Sequence, residues 1–384
     1  MIYSEVTTIV LMLLILSGAF YSLFSLLFIV EFFRPKRQQL QETLSPPVSV
    51  IKPLKGPDPE LRENLQSFCR QDYPDCEILL GFTDPNDDAI TWAKEVAASS
   101  PDCDIRTVIS QSDEGANPKV SNLKGLIKVA RYPLVAISDG DMRVKPSYLK
   151  IIVKEYQSGE NVGLVTSLYA IPNPASIGAA LESLTIALDF IPSVLVARRL
   201  EGVTFGLGAS MLLSKEAIEK IGGFSGIADY LADDYQIGNR LWKKGYRIVL
   251  SEYVIEDVVG TMSIADYLTH QIRWARTYRA CRPKGFLGYG ITHIFPYSFF
   301  FLMLQGPTIF SLSLLCGVLL LRLTLALVLY KKVIRIKKWL RWLPLIPVKD
   351  LLSFSIWVWS FFGRTVFWKR RCFVIMKGGR IKEK

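Results

Sequence analysis

Long apolar stretches occupy both ends of the chain, and shorter apolar runs broken by polar clusters fill its middle. Residues 9–30 carry no formal charge, which is long enough to cross a bilayer at about 20 apolar residues per span. A cleaved signal peptide is the competing reading, but the apolar region is too long and no basic region precedes it. Arg34, Lys36 and Arg37 follow it, so the positive-inside rule places the N-terminus outside and the next region in the cytoplasm. A second apolar block, 286–330, contains Arg322 as its one formal charge and Gly306-Pro307 near its middle. It predicts a helical hairpin with spans at 286–305 and 308–330. Lys331, Lys332, Arg335, Lys337, Lys338 and Arg341 follow with no acid among them, again marking the cytoplasmic side. The last apolar stretch, 351–362, is short for a span and reads as a re-entrant or interfacial helix. A short β-hairpin, 365–367 against 372–376, is expected in the tail.

The chain is thereby divided into a transmembrane helix (1–33), a cytoplasmic domain (45–284), a transmembrane hairpin (285–330) and a basic, interfacial C-terminal region (331–384). Within 45–284, runs rich in β-branched and aliphatic residues at 48–54, 77–82, 105–109 and 134–138 predict strands. Segments at 60–69, 88–98 and 120–130 repeat apolar residues at helical spacing. Strand–helix alternation implies an α/β fold with an open, mostly parallel sheet covered by helices. In such sheets ligands bind beyond the carboxyl ends of the strands.

Composition fits a soluble domain joined to a few membrane segments: 50% of the 384 residues are hydrophobic and the mean hydropathy is +0.26. The net charge is +11, and the basic residues cluster beside apolar segments, which favours an anionic phospholipid surface over nucleic acid. None of the six cysteines forms a C-x-x-C pair, so they read as reduced packing residues. With His270 and His293 the only histidines, a histidine-built metal site or a Ser-His-Asp hydrolase is hard to assemble.

Three acidic sites fall at expected strand or helix ends. Asp84 follows the 77–82 run; alone it reads as a turn or cap. Asp139-Gly140-Asp141 follows the 134–138 run. Two carboxylates bracketing a glycine there can ligate Mg²⁺ or Mn²⁺ while the cation bridges a diphosphate, the glycine letting the backbone come close to the phosphates. Asp233-Asp234 opens a helix running towards Lys243; these carboxylates are either caps complementing the helix dipole or a general base for an acceptor hydroxyl. Finally, Gln271, Arg273 and Trp274 lie in an amphipathic run, 264–280, where Arg273, Arg276 and Arg279 share one face. That face suits anionic lipid; Arg273 also suits a diphosphate clamp, and Trp274 an acceptor-site wall.

Taken together, V-S-V-I-K-P-L-K-G at 48–56, Q-D-Y-P at 71–74, N-P-K-V at 117–120, Asp139, Asp234 and Q-x-R-W at 271–274 resemble glycosyltransferase family 21 over nearly the whole chain. The resemblance implies a GT-A fold, a UDP-sugar donor, a divalent metal, inversion at the anomeric carbon and a membrane-lipid acceptor. It assigns Asp84 to the nucleotide and Asp139 and Asp141 to metal and diphosphate. Asp234 would be the base, with Gln271, Arg273 and Trp274 closing the donor site and Lys119 adding a phosphate contact. Animal ceramide glucosyltransferases carry a histidine and a cysteine near Ile191 and Phe205 here, and D-S-G where this chain has D-G-D. The runs 190–198, 231–234 and 273–279 look more like the bacterial hopanoid-associated branch. That implies N-acetylglucosamine transfer to a hopanoid polyol at the bacterial inner membrane, with glucose transfer to ceramide as the alternative. Polyprenyl-phosphate sugar synthases share this chemistry, and processive polysaccharide synthases carry a similar Gln…Arg-Trp motif but need more spans for an export channel.

Overall fold

The computed structural model describes residues 2–35, 44–58, 60–110, 115–369 and 371–384. Lys36 and Arg37, part of the basic run expected after the first apolar helix, lie outside these residues. The chain forms two compact units. One comprises Lys36–Ala170, Glu201–Gly260 and Met376–Lys384, the other Met1–Pro35, Ile171–Leu200 and Thr261–Ile375.

The first unit is built on an eight-stranded sheet of β1 (Val48–Pro53), β2 (Cys76–Phe82), β3 (Asp104–Ile109), β4 (Leu134–Ile137), β5 (Met142–Arg143), β6 (Val162–Ala170), β7 (Met211–Ser214) and β8 (Arg247–Asp257). Its order is β3-β2-β1-β4-β7-β6-β8-β5. The four strands expected from sequence form the parallel half, β3-β2-β1-β4. Antiparallel β7 joins it to the parallel pair β6–β8. On one face Ile51, Leu79, Val135 and Ile137 share a core with Leu123 and Leu126 of the helix Pro118–Val129 and with Ile237 and Leu241 of the helix Asp233–Lys243; on the other face Val50, Ile78, Leu80 and Ala136 are buried as well. β1, β2 and β4, buried along nearly their whole length, read as near-continuous apolar runs, while the edge strand β3 is legible from its β-branched residues.

The second unit is helical. Helices Glu5–Phe32 and Ile309–Ile334 are long and apolar enough to cross a membrane. Ile177–Glu201 also qualifies by length and composition, yet 83% of its apolar window is buried within the protein. The span expected at 286–305 is instead broken. Pro283–Thr292 and Ile294–Gln305 meet at a 53° bend beside His293. The 351–362 stretch forms the helix Ile346–Ser360. At about 1.5 Å per residue this is well short of a bilayer's hydrocarbon thickness. The expected hairpin is present as β9 (Thr365–Trp368) against β10 (Arg371–Ile375).

Four buried charges tie the second unit together. The Arg322 guanidinium donates to Asp350 (2.8 and 2.5 Å) and to Asp189 (3.0 Å). Lys349 Nζ lies 2.7 Å from both Asp189 oxygens and 2.7 Å from Asp350, and Ser353 donates to Asp189 at 3.0 Å. Asp189 sits in the π-helical turn Ile186–Phe190, a local widening of the kind often found at functional positions. Two cations against two carboxylates leave no net charge in this apolar setting.

Candidate active site

Parallel pairing of β2, β1 and β4 sets their carboxyl ends side by side. Leu54 N donates to Gly81 O and Ser138 N to Ile51 O. Asp139 leaves the end of β4. Because β4 runs antiparallel to β7, with Ile137 opposite Met211, Asp139 stands beside the loop that leads into β7. Gly208 in that loop is the point of convergence. A methyl group there would stand 3.3 Å from Asp234 Oδ2, 3.4 Å from Lys119 Nζ and 3.6 Å from Asp139 Oδ2.

Each of these side chains has a local reason for its place. Asn117 caps the helix Pro118–Val129, its Oδ1 accepting from Lys119 N (2.9 Å) and Val120 N (3.2 Å). Its Nδ2 donates to Tyr230 O at 2.7 Å, drawing that helix start to the segment before Asp233. Asp234 lies in the first turn of its helix, where the dipole favours a carboxylate. Its Oδ1 accepts from Tyr235 N (2.7 Å) and its Oδ2 from Gly208 N (2.8 Å). The helix comes this close because Gly238 rests on the backbone of Phe205-Gly206, where a Cβ would fall 2.1 Å from Gly206 N.

The Lys119 ammonium stands among the carboxylates, 2.6 Å from Asp139 Oδ1 and 3.6 Å from Asp233 Oδ2. Burial works against its charge, but Asp139, Asp233 and Asp234 outweigh that and hold its proton well above the usual lysine range. Burial, reinforced by the charge of Asp233, pushes Asp234 up to about 6, against the opposing pull of Lys119 and the two backbone donors. Asp233 is raised as well, chiefly by burial.

Behind this cluster is Lys52 on β1, fully buried and stacked 3.7 Å over the Phe68 ring. It donates to Asp139 O at 2.7 Å, fixing the backbone of the Asp139 turn. Burial pushes this lysine down to about 7, opposed by Asp141 and Asp139. Sequence reasoning passed over it as one polar residue in an apolar strand.

At Gly140 a Cβ would meet Leu54 Cδ2 at 2.9 Å and Asp58 Oδ2 at 3.3 Å, so packing of the turn itself also calls for glycine. Asp84 is exposed, and its Oδ1 accepts from Asn86 N at 2.9 Å within its own turn. Asp87, not singled out from sequence, ties this turn to the loop after β1 by accepting from Gly56 N at 2.8 and 3.1 Å. The Asp141 main-chain oxygen accepts from Val258 N.

Gln271, Arg273 and Trp274 belong to the other unit, on the helix Ile264–Cys281, which starts with a full capping box of Ser263 and Asp266. Gln271 Nε2 donates to both oxygens of Glu182, each at 2.9 Å. Trp274 lies between His270 and Phe190, with ring centroids 4.9 and 5.8 Å away. The Arg273 guanidinium stands 5.8 Å from the Trp368 ring. Arg276 and Arg279 were expected to face lipid. Their guanidinium groups donate to the carbonyls of Phe362, Thr365 and Gly363, clamping the turn between the helix Ile346–Ser360 and β9.

The cluster's chemistry fits a divalent cation. Asp139, Asp233 and Asp234 outnumber the Lys119 ammonium among them, and an anionic diphosphate would be repelled without a cation between. Among the described residues no three His, Cys, Asp or Glu side chains form a metal cage.

A strand order of this kind, with acids at the carboxyl ends of β4 and at a helix start beyond β7, is the GT-A arrangement of nucleotide-sugar transferases. A mannosyltransferase of Pyrobaculum calidifontis, solved with GDP-mannose and Mn²⁺, shares the fold. Its TM-score is 0.58 at 19% identity, over 94% of this chain and 99% of that one. The family model described as "Glycosyl transferase family 21" matches residues 10–381, and the chain belongs to that family. Ceramide glucosyltransferase 1 of Caenorhabditis elegans is 32% identical over 238 residues, covering 61% of this chain and 51% of the relative. Ceramide glucosyltransferase 3 of the same organism is 28% identical, covering 56% and 47%. The chain therefore spans about half the length of these curated relatives.

Proposed function

We propose that this protein transfers a hexose from a UDP-sugar to the hydroxyl of a membrane lipid, inverting the anomeric carbon. The observation that carries this reading is the convergence of Asp139, Lys119 and Asp234 on Gly208 at the carboxyl end of β4. Asp234 is the base. Its carboxylate is held by two backbone donors and poised near neutrality, where a base works best. It takes the proton of the acceptor hydroxyl as the oxygen attacks the anomeric carbon and the diphosphate leaves. Asp139, with Asp141, would hold Mg²⁺ or Mn²⁺, which when bound supplies charge neutralisation for the departing diphosphate. Lys119 adds a fixed positive charge to the same phosphates. Asp84, at the carboxyl end of β2, contacts the nucleotide. Arg273 and Trp274 serve the donor and the acceptor, while Gln271 orients their helix.

The lipid acceptor follows from the apolar helices and from the relatives, named for glucosyl transfer to ceramide. They favour glucose and a ceramide-type lipid over the hopanoid polyol and N-acetylglucosamine that the 190–198 run suggested. The basic run 331–341 has no acid and suits anionic phospholipid on the cytoplasmic side. Purified protein given UDP-glucose or UDP-N-acetylglucosamine, with ceramide or a hopanoid polyol in micelles, tests donor and acceptor together. Glucosylated ceramide supports the assignment; a hopanoid product alone would move the acceptor and leave the chemistry standing.

A further inference from the structure

The helix of Gln271, Arg273 and Trp274 carries its functional side chains on one turn, and something must set that turn's rotation. The candidate is a residue 89 positions away in sequence from Gln271. Glu182 lies in the apolar helix Ile177–Thr185 with its side chain 1% exposed. A buried carboxylate is costly unless its oxygens are hydrogen-bonded. Here both oxygens are taken by two consecutive residues of the motif helix. Gln271 Nε2 donates to Oε1 and Oε2, and His270 Nδ1 lies 2.9 Å from Oε1. With the carboxylate as acceptor, Nδ1 of His270 carries the proton. His270 is one helical turn before Trp274, and the two rings are 4.9 Å apart. Phe190 also packs against the indole, its ring centroid 5.8 Å away.

We infer that Glu182 is a positioning residue for sugar transfer: through His270 and Gln271 it fixes the rotation of the motif helix and the seat of Trp274. The helix Ile177–Thr185 is buried on nearly every face and made of small and apolar residues. An acid in it serves no solubility, and no lysine or arginine pairs with it among the described residues. Among the described residues, its side-chain hydrogen bonds go to the motif helix. The inference rests on the reading that Trp274 takes part in transfer.

Glu182→Met keeps the volume and removes the acceptors. Glu182→Gln keeps an acceptor for His270, and Gln271 can turn its amide to match. Trp274 is followed by the fluorescence lost in Trp274→Phe, and transfer is measured with UDP-glucose and ceramide in micelles. In Glu182→Met the Trp274 emission shifts to the red, and kcat/KM for the lipid falls about 10–100-fold while donor KM moves less than about twofold. Glu182→Gln stays within about threefold of wild type, a cost in line with one weakened hydrogen bond. Unchanged Trp274 emission in Glu182→Met, or equal losses in the Met and Gln variants, would overturn the inference. Wild-type transfer by Trp274→Ala would instead overturn the role of the motif helix, and the transfer role of Glu182 with it. If Glu182→Met does not fold while Glu182→Gln folds, the emission in His270→Phe decides. It retains the stacked ring without the Glu182 bond, and a red shift there upholds the positioning while its absence refutes it.

Discussion

Lys119 and Asp139 form an ion pair of 2.6 Å at the mouth of β4, although one comes from a helix start and the other from a strand end. The same ammonium lowers the proton affinity of Asp234. Replacing Lys119 with Met removes that pull, so Asp234 binds its proton more tightly. A base works only when ionised, above its pKa. The acid limb of the kcat–pH profile in Lys119→Met is therefore expected to move above pH 6, with Lys119→Arg close to wild type. A limb that stays in place would dissociate Lys119 from the base.

For the unaltered protein, the pH profile itself is informative. Asp234 is raised to about 6, so turnover should fall as pH drops through 6 and level off above it. Asp234→Asn keeps the shape but cannot accept a proton. It is expected to lower kcat about 10²–10⁴-fold with little change in donor affinity, as general-base loss does. Wild-type turnover in Asp234→Asn would assign the base elsewhere, with Asp233 the next residue to test.

Cation dependence should follow from the excess of carboxylates over the Lys119 ammonium in the cluster. Chelation is expected to abolish transfer, and Mg²⁺ or Mn²⁺ to restore it. Asp139→Asn should weaken donor binding and turnover together. Full activity in excess chelator contradicts the assignment.

Stability of the helical unit should depend on its buried charges. Asp189→Asn leaves Lys349 and part of Arg322 uncompensated, and removing one partner of a buried pair typically costs about 3–5 kcal/mol. The melting temperature in detergent should fall accordingly. Pairing the change with Lys349→Met should recover part of the loss, because the two residues touch. Additive losses would argue against a coupled network.

Much of this was legible in the chain. The strands β1, β2 and β4 are mostly apolar runs and β3 is marked by its β-branched residues, and the parallel order of the four carries Asp139 to the site edge. Asp234 was legible because an acid pair opens an amphipathic helix. The tail hairpin was legible from its two apolar runs. Lys52, Glu182 and Asp189 were not, because a single polar residue in an apolar run gives no hint of its distant partner. Gly208 was equally silent, since its role depends on three side chains from other elements. The break at His293 was missed because composition stays apolar across a bend. Arg276 and Arg279 looked like lipid contacts because a charged helix face does not announce the carbonyls it meets.

The central claim is sugar transfer to a lipid hydroxyl with Asp234 as base. Its most direct measurement is lipid product formed by purified protein from UDP-glucose and ceramide in micelles with Mn²⁺, beside the Asp234→Asn variant. The account predicts a metal-dependent monoglycosylated lipid, at least about 100-fold slower in the variant. UDP release without any glycosylated lipid, or the same product rate in both proteins, would contradict it.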